Sequence, residues 1–223
     1  MKILGIDTST MTTSIAISQD DKILGEVQVY GRISHSERLM DLLETLLRVQ
    51  NLKLEDLDLL VAGRGPGSFT GIRIGVTTIR TLAQVLKKDA IGVSSLAALA
   101  SQFQGLVAPI VDARRGRVYT GLYQVENNQV SCLKEDCLVD LEDWIKNLPK
   151  ETILCGEGLE VYRDRLAQEG FSLASQRDQS FRGSSLCLVG RQMASQGQDL
   201  DYRQILPNYI RPSQAERERQ NGH

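Results

Sequence analysis

Alternating apolar and polar residues open the chain and predict three β-strands. The runs are KILGID, TTSIAIS and KILGEVQVY, separated by the hydroxyl-rich TSTM and by QDD. Period-two alternation between short polar turns is typical of an antiparallel meander. Apolar spacings of three and four residues then predict helices at about 36–49, from the glycine-rich loop to about residue 86, and from about residue 95, with strands at 57–62 and 90–93.

The same succession of elements occurs again in the second half. Strand patterns appear in VAPIVD, GRVYTGLYQV and QVSCL, with a turn at Asn127-Asn128, and a later strand is predicted in TILC before the turn GEG. Helical patterns are found at about 141–147, 159–168 and 184–194. The repeated order predicts an α/β protein with two mixed-sheet lobes, 1–104 and 105–223, around a cleft. The last helices could pack back on the first lobe.

Charge and hydropathy exclude two classes of protein. The 223 residues carry 26 basic and 28 acidic side chains, for a net charge of −2, and the two signs are mixed along the chain. Proteins that bind nucleic acid on their own usually show a basic stripe, so we expect no autonomous nucleic-acid binding. No apolar run reaches the roughly 18 residues of a membrane span, and the first strand starts without a secretory leader pattern. We therefore expect a cytoplasmic protein.

Cysteine and histidine offer little material for metal or nucleophilic chemistry. The four cysteines form no C-x-x-C pair, so we do not expect a zinc site. We expect the cysteines to be reduced thiols. His35 and His223 are the two histidines of the sequence. We predict no metal site and no catalytic residue.

The loop AGRGPGSFTGIRIG raises the question of phosphate binding. Its glycines do not match G-x-G-x-x-G, and Ile72-Arg73 stands where a Walker loop requires Lys-Ser/Thr. The alternative is a strand-to-helix turn with Ser68 or Thr70 as the helix N-cap.

Four segments together carry a family resemblance. The doubled lobe with GIDTST resembles the RNase H-like lobes of the actin, sugar-kinase and chaperone ATPase (ASKHA) superfamily. Within it, ILGIDTST, GRGPGSFTGIRIGVTTIRTLA, IGVSSLAALA and LPNYIRP resemble the TsaB (YeaZ) family. The resemblance implies a noncatalytic partner of TsaD, required for threonylcarbamoyl transfer to the adenosine adjacent to the tRNA anticodon. It also implies that the ATPase TsaE joins the TsaB–TsaD pair and that tRNA is contacted only indirectly.

The resemblance also indicates what this chain lacks. The catalytic paralogue TsaD has a His-x-x-x-His pair on the helix after the Gly-Val strand end, where two imidazoles on one helix face hold a metal. Ser95 and Leu99 occupy these positions here. The alternative to a metal site is that Leu96, Leu99 and the neighbouring alanines form a packed face of the helix, and we favour this alternative.

A vestigial nucleotide site is predicted in the cleft. Superfamily members hold phosphate or a magnesium-bound water at the turn after the first strand, which in this chain begins at Asp7 and is rich in hydroxyl groups. Asp112 begins the matching turn of the second lobe. The turn after Asp112 carries Arg114 and Arg115 where an active ATPase has glycines, so we expect no cofactor, with nucleotide only at the interface of an assembled complex. Gly156 resembles an adenosine-side turn, although a tight connection explains it equally well. The candidates are Asp7, Thr8, Ser9, Thr10, Thr12, Asp112 and Gly156.

Two helices offer a candidate docking face. A capping box at Ser34 and Glu37 would start the first helix. The apolar residues of this helix span an arc of about 180°, which is wider than the roughly 100° needed to face a core. Met40 and Leu47 are the surplus apolar residues. The second helix adds a strip of mostly small residues. The resemblance implies that both helices bind TsaD and support a homodimer when TsaD is absent. The predicted contacts are His35, Met40, Leu47, Gly71, Ile74, Gly75, Thr78 and Leu82. Purely intramolecular packing of both strips is the alternative.

Two enzymatic alternatives remain open. A peptidase could use Ser68, Ser94 or Ser95, although His35 lies on a different element and no Ser-Lys or Cys-His signature accompanies them. An independent nucleotide-hydrolysing enzyme is disfavoured by the arginines after Asp112.

Overall fold

The computed structural model of the chain describes residues 1–31, 35–175, 178 and 180–210. In the first helix, side chains are described from Arg38 onward. The capping box predicted for Ser34 and Glu37 therefore lies outside the described residues. No helix in these ranges is both long and apolar enough to cross a membrane.

The first five strands form one mixed sheet in the order β3-β2-β1-β4-β5. Strands β1 to β3 are the predicted antiparallel meander, and β4 and β5 extend it in parallel from β1. The central strands β1 and β4 are almost completely buried, which explains their apolar sequences. The strands are β1 (Lys2–Asp7), β2 (Thr12–Gln19), β3 (Lys22–Tyr30), β4 (Leu59–Gly63) and β5 (Asp89–Val93).

The second sheet repeats this arrangement. Its order is β11-β10-β6-β8-β7 with β9 paired to β8. Because β6 and β7 both pair with β8, they act as one interrupted strand, and the order 3-2-1-4-5 of the first sheet recurs. The strands are β6 (Gly105–Pro109), β7 (Val111–Asp112), β8 (Arg117–Glu126), β9 (Gln129–Asp140), β10 (Ile153–Cys155) and β11 (Ser172–Leu173).

In the part of the chain that the structure describes, six α-helices cover the sheets. The first sheet is packed between α1 and α2 on one face and α6 on the other. Helix α3 instead packs on the second sheet, against β6, β8 and β9. The two lobes thus exchange their last helices, and α3 contacts α6 between the sheets. The helices are α1 (His35–Val49), α2 (Phe69–Leu86), α3 (Ser95–Ala100), α4 (Leu141–Lys146), α5 (Leu159–Gln168) and α6 (Gly183–Ser195).

Two strands differ from the sequence-based prediction. Strand β9 continues to Asp140, well beyond the predicted QVSCL, because an edge strand with an exposed face tolerates the charged residues that mask its alternation. The two-residue strand β11 carries too little pattern to be recognised. The two lobes predicted at 1–104 and 105–223 stay a prediction about domains. All four cysteines are free thiols.

Candidate functional site

The glycine-rich loop forms a capped turn at the start of α2. Ser68 is the N-cap, and its hydroxyl accepts a hydrogen bond of 3.2 Å from the amide of Gly71. Within the loop, the amide of Gly65 donates to the Ser95 hydroxyl at 3.1 Å, and that of Ser68 donates to the Ser9 carbonyl at 2.6 Å. These amides are already used within the protein, so they do not form a phosphate cradle.

The small residues of α2 pack against the chain's own β1–β2 turn. Both Gly71 and Gly75 are buried, and a Cβ atom at Gly75 would lie 2.6 Å from the Thr8 hydroxyl oxygen. A Cβ atom at Gly71 would collide with the Thr8 carbonyl, and the Thr8 hydroxyl donates to the Gly71 carbonyl at 2.7 Å. The space that these two glycines leave is therefore filled from within the chain, and their contact with a partner stays a prediction.

The apolar surplus predicted on α1 is half correct. Met40 is 47% exposed, whereas Leu47 is 7% exposed and belongs to the core beneath α1 and α2. The prediction that Leu47 belongs to the exposed apolar surplus is therefore wrong, because its side chain packs in the core. Leu42, on the same helix, is half-buried.

A groove of about 340 Å³ lies between α1 and α2. It brings together three of the predicted contact residues, namely Met40, Ile74 and Thr78. Leu82 is half-buried and packs against the core of the first lobe. His35 lies in α1, but its side chain is outside the described residues. The groove is lined by Leu39, Met40, Arg73, Ile74, Thr77 and Thr78.

Sequence reasoning missed the cation–aromatic cluster beside this groove. The guanidinium carbon of Arg73 lies 4.0 Å from the centroid of the Phe69 ring, which stacks on Tyr209 at 4.5 Å. The Nε of Arg73 also donates to the Tyr209 hydroxyl at 2.7 Å. The available signal was the position of Phe69 and Arg73 four residues apart, and thus on one face of α2. The contribution of Tyr209 depends on a distant segment and carried no local signal.

The predicted nucleotide residues lie around a cleft of about 400 Å³ between the sheets. Ser9, Thr10 and Asp112 line it, whereas Asp7, Thr8 and Thr12 are buried behind it. The Oδ1 of Asp7 accepts from the Ser9 amide at 2.7 Å. Among the candidate hydroxyls, that of Thr10 accepts a hydrogen bond of 3.2 Å from the Thr12 amide within the β1–β2 turn.

Glu157 is an acid at this cleft that the sequence analysis did not select. The Thr12 hydroxyl donates to its Oε1 at 3.4 Å. Burial raises the pKa of the Glu157 carboxyl, while hydrogen bonds from Thr10 and Thr12 oppose that shift. Together with Asp112, Glu157 gives the cleft an acidic lining, and Arg114 is the one basic side chain among its described lining residues. This lining is electrostatically unfavourable for phosphate.

The second-lobe turn is closed by its own hydrogen bonds. The amide of Arg114 donates to the Asp112 carboxylate at 2.9 Å, and the amide of Ala113 donates to the Arg117 carbonyl at 2.9 Å. Tyr162 also donates to the same Asp112 oxygen, at 2.9 Å. Gly156 has φ +102°, and a Cβ atom there would lie 2.7 Å from the Ile110 carbonyl. The close approach of Ile110 is sufficient to explain this glycine.

Ser95 and Leu99 are fully buried in α3. The Ser95 hydroxyl accepts the Gly65 amide, and Leu99 packs in the core of the second lobe. Ser95 and Leu99, which stand where TsaD has its histidine pair, therefore have structural roles.

A polar cluster around Asp136 connects the two lobes at a place distant from the α1–α2 groove. Asp136 of β9 accepts a 2.7 Å hydrogen bond from Ser94, the N-cap of α3, and one of 3.1 Å from Asn208. The Tyr123 hydroxyl donates to its other oxygen. Burial raises the pKa of Asp136, although the bonds from Tyr123 and Ser94 and the charge of Arg64 act in the opposite direction.

This shift predicts a pH-dependent contribution of Asp136 to stability. Because its folded-state pKa is raised, its contribution is fully present below the unfolded-state pKa and is lost as pH rises through the folded value. We expect the free energy of unfolding of wild type, measured relative to Asp136→Asn, to fall over that interval. Denaturant titrations at acidic and neutral pH measure it, with Asp164→Asn at an exposed position as the control. A pH-independent difference would contradict this assignment.

The whole chain has close relatives of known family. A family model described as "TsaD: tRNA N6-adenosine threonylcarbamoyltransferase" matches residues 28–216. The "tRNA threonylcarbamoyladenosine biosynthesis protein TsaB" of Bacillus subtilis is 36% identical over 97% of this chain and 96% of that protein. The structure of "YeaZ from Pseudomonas aeruginosa" matches with a TM-score of 0.81 at 27% identity, covering 93% of this chain and 99% of that one.

A more distant structure supports the fold alone. The "Activator of the 2-Hydroxyisocaproyl-CoA Dehydratase from Clostridium difficile with bound ADPNP" matches with a TM-score of 0.50 at 11% identity, over 88% of this chain and 97% of that chain. Together with the duplicated sheet order, this match confirms the predicted α/β fold with two mixed sheets. Similarity along nearly the full length, to sequence and structure alike, establishes that the chain belongs to the TsaD family and, within it, to the TsaB (YeaZ) group.

Proposed function

We propose that this chain takes part in tRNA threonylcarbamoyladenosine biosynthesis as a noncatalytic scaffold and activator of TsaD. The groove between α1 and α2 is the observation that carries the proposal. It exposes Met40 next to the half-buried Ile74, with Arg73 and its aromatic partners at one side. Exposed apolar side chains beside arginine and tyrosine are typical of protein interfaces, and an apolar groove suits a partner helix.

The residues of α3 support a noncatalytic role. An imidazole pair on one helix face can ligate a metal, but a hydroxyl that already accepts a backbone hydrogen bond and a core leucine cannot replace it. Ser95 is such a hydroxyl, and Leu99 is such a leucine. In this proposal the threonylcarbamoyl transfer takes place on TsaD, and this chain contributes binding surface.

The cleft between the sheets argues against independent ATP hydrolysis. Phosphate sites require free backbone amides, whereas those of Ser68, Ala113 and Arg114 donate within the protein. The acidic lining adds an electrostatic penalty. Nucleotide, in this proposal, is held at the interface of the assembled complex.

The peptidase alternative has weak support in the geometry. Ser68 and Ser94 cap helices, and Ser95 is buried. A nucleophile needs a hydroxyl that is free to approach a base and a substrate, whereas these three hydroxyls each accept a hydrogen bond from a backbone amide. Peptide hydrolysis by purified protein that disappears in a Ser68→Ala or Ser94→Ala variant would favour the alternative.

Reconstitution of the modification tests the proposed function directly. Purified TsaD, TsaE, the threonylcarbamoyl-adenylate supply and unmodified tRNA are combined with or without this chain, and modified adenosine is quantified by mass spectrometry. We expect product to require this chain, while the chain alone yields none. Undiminished product without it would contradict the activator role.

The remaining partners follow from the same proposal. TsaE is expected to bind the assembled pair, the chain alone to form a homodimer through the α1–α2 groove, and tRNA to be contacted through TsaD. The protein would act in the cytoplasm, where its tRNA substrate is modified.

A further inference from the structure

A second cavity, of about 310 Å³, lies on another part of the molecule from the α1–α2 groove and the cleft between the sheets. It is formed where β5, α3, β9, α6 and the segment around Asn208 meet. Cavities of roughly 300–1,000 Å³ with an apolar wall and a few polar groups at one end are typical small-molecule sites. The apolar wall consists of Val93, Ala97, Val130, Val189 and Met193.

The polar end of this cavity is rigidly constructed. Asp136 is held by Tyr123, Ser94 and Asn208, which come from three different parts of the chain. The backbone of Arg64 is fixed as well, because its amide donates to the Val93 carbonyl at 2.9 Å and its carbonyl accepts from the Asn208 amide at 2.8 Å. A ligand would therefore meet positioned groups at this end.

Arg64 has unused hydrogen-bonding capacity. Its Nε is buried and has no hydrogen-bond partner among the described residues. Its charge acts on Asp136, yet the two side chains form no ion pair within the described part of the chain. Arg64 also lines the cavity, and its planar guanidinium can bind a carboxylate through two parallel hydrogen bonds.

The acidic groups of the cavity restrict the kind of ligand. Glu135 lies at the exposed rim and Asp136 at the polar end, so two carboxyls accompany one guanidinium. A simple anion would be repelled by both acids, and a simple cation would leave Arg64 without an acceptor. A zwitterion satisfies both signs, and the apolar wall accommodates an uncharged side chain.

We propose that this cavity binds a free α-amino acid with an apolar side chain. The carboxylate lies on Arg64, the ammonium faces Glu135 and Asp136, and the side chain packs against Val189 and Met193. The lining residues differ entirely from those of the α1–α2 groove, so variants can test the two sites separately.

Calorimetric titration and amide chemical-shift mapping with L-leucine, L-methionine and L-phenylalanine test this inference on the full chain. We expect saturable one-to-one binding of at least one of them, with shifts at β9 and α6. Leucinamide lacks the carboxylate, and N-acetyl-leucine lacks the ammonium. Each should bind about tenfold more weakly or worse than leucine, as loss of one charge-assisted hydrogen bond predicts.

Variants separate the cavity from nonspecific binding. Arg64→Gln and Glu135→Gln should each weaken binding about tenfold, and Ala97→Met should block it by filling the cavity. Glu160→Gln, at an exposed position of α5, is the matched control and should bind like wild type. If Arg64→Gln does not fold, Glu135→Gln at the rim still decides. Absence of saturable binding, equal binding of leucine and its two blocked derivatives, or unchanged binding by Glu135→Gln and Ala97→Met would overturn the proposal.

Discussion

Met40→Glu is expected to abolish assembly with TsaD while the chain remains folded. The side chain is 47% exposed in the free chain, so a glutamate there can be hydrated and should leave the melting temperature nearly unchanged. In the complex the same carboxylate would be buried against an apolar surface, which costs several kcal/mol. We expect affinity to fall on the order of a hundredfold or more, with a matching loss of tRNA modification at limiting protein.

Analytical ultracentrifugation and binding titrations with TsaD measure this effect. Val161→Glu is the matched control, because it also places a glutamate on an exposed apolar helix position, 63% exposed, but on α5 of the second lobe. The control should bind TsaD normally. Unchanged TsaD affinity in Met40→Glu would show that the α1–α2 groove is not the docking site.

Leu47→Glu is expected to unfold the first lobe and not merely to prevent assembly. Leu47 packs in the core under α1 and α2, where truncating a leucine already costs about 2–5 kcal/mol and a buried carboxylate adds to that loss. Such a sum approaches the roughly 5–15 kcal/mol by which a typical protein is stable. Circular dichroism should show loss of the cooperative thermal transition or a greatly reduced melting temperature.

Leu42→Glu provides the graded comparison on the same helix. Its side chain is half-buried, so the glutamate can reach water and the free energy of unfolding should fall by much less. A Leu47→Glu protein that melts like wild type would contradict its place in the core. If it also failed to assemble, the original assignment to a docking surface would be correct after all.

The contrast between Met40 and Leu47 shows where sequence periodicity stops being informative. Seven residues on a helix bring the second side chain back to within about 20° of the first, so the two positions share one face. They are separated by about 10 Å along the helix axis, and the core reaches Leu47 but not Met40. The angular pattern of apolar residues around a helix does not show how far the protein core extends along the helix axis.

The glycines of α2 pose a similar limit. Small residues on a helix face indicate that a backbone approaches closely, and this inference is correct for Gly71 and Gly75. The approaching backbone is the turn after β1, more than sixty positions away in the chain, so local sequence could not distinguish it from a partner helix. By contrast, the meander and the duplicated order depend on local alternation and were predictable.

The exchange of α3 and α6 makes each half of the chain dependent on the other. Each sheet is completed by a helix encoded in the opposite half, so a fragment ending after β5 would leave one face of its sheet bare. Because each half of the chain holds a helix that packs on the sheet of the other half, we expect the two halves to unfold as one cooperative unit.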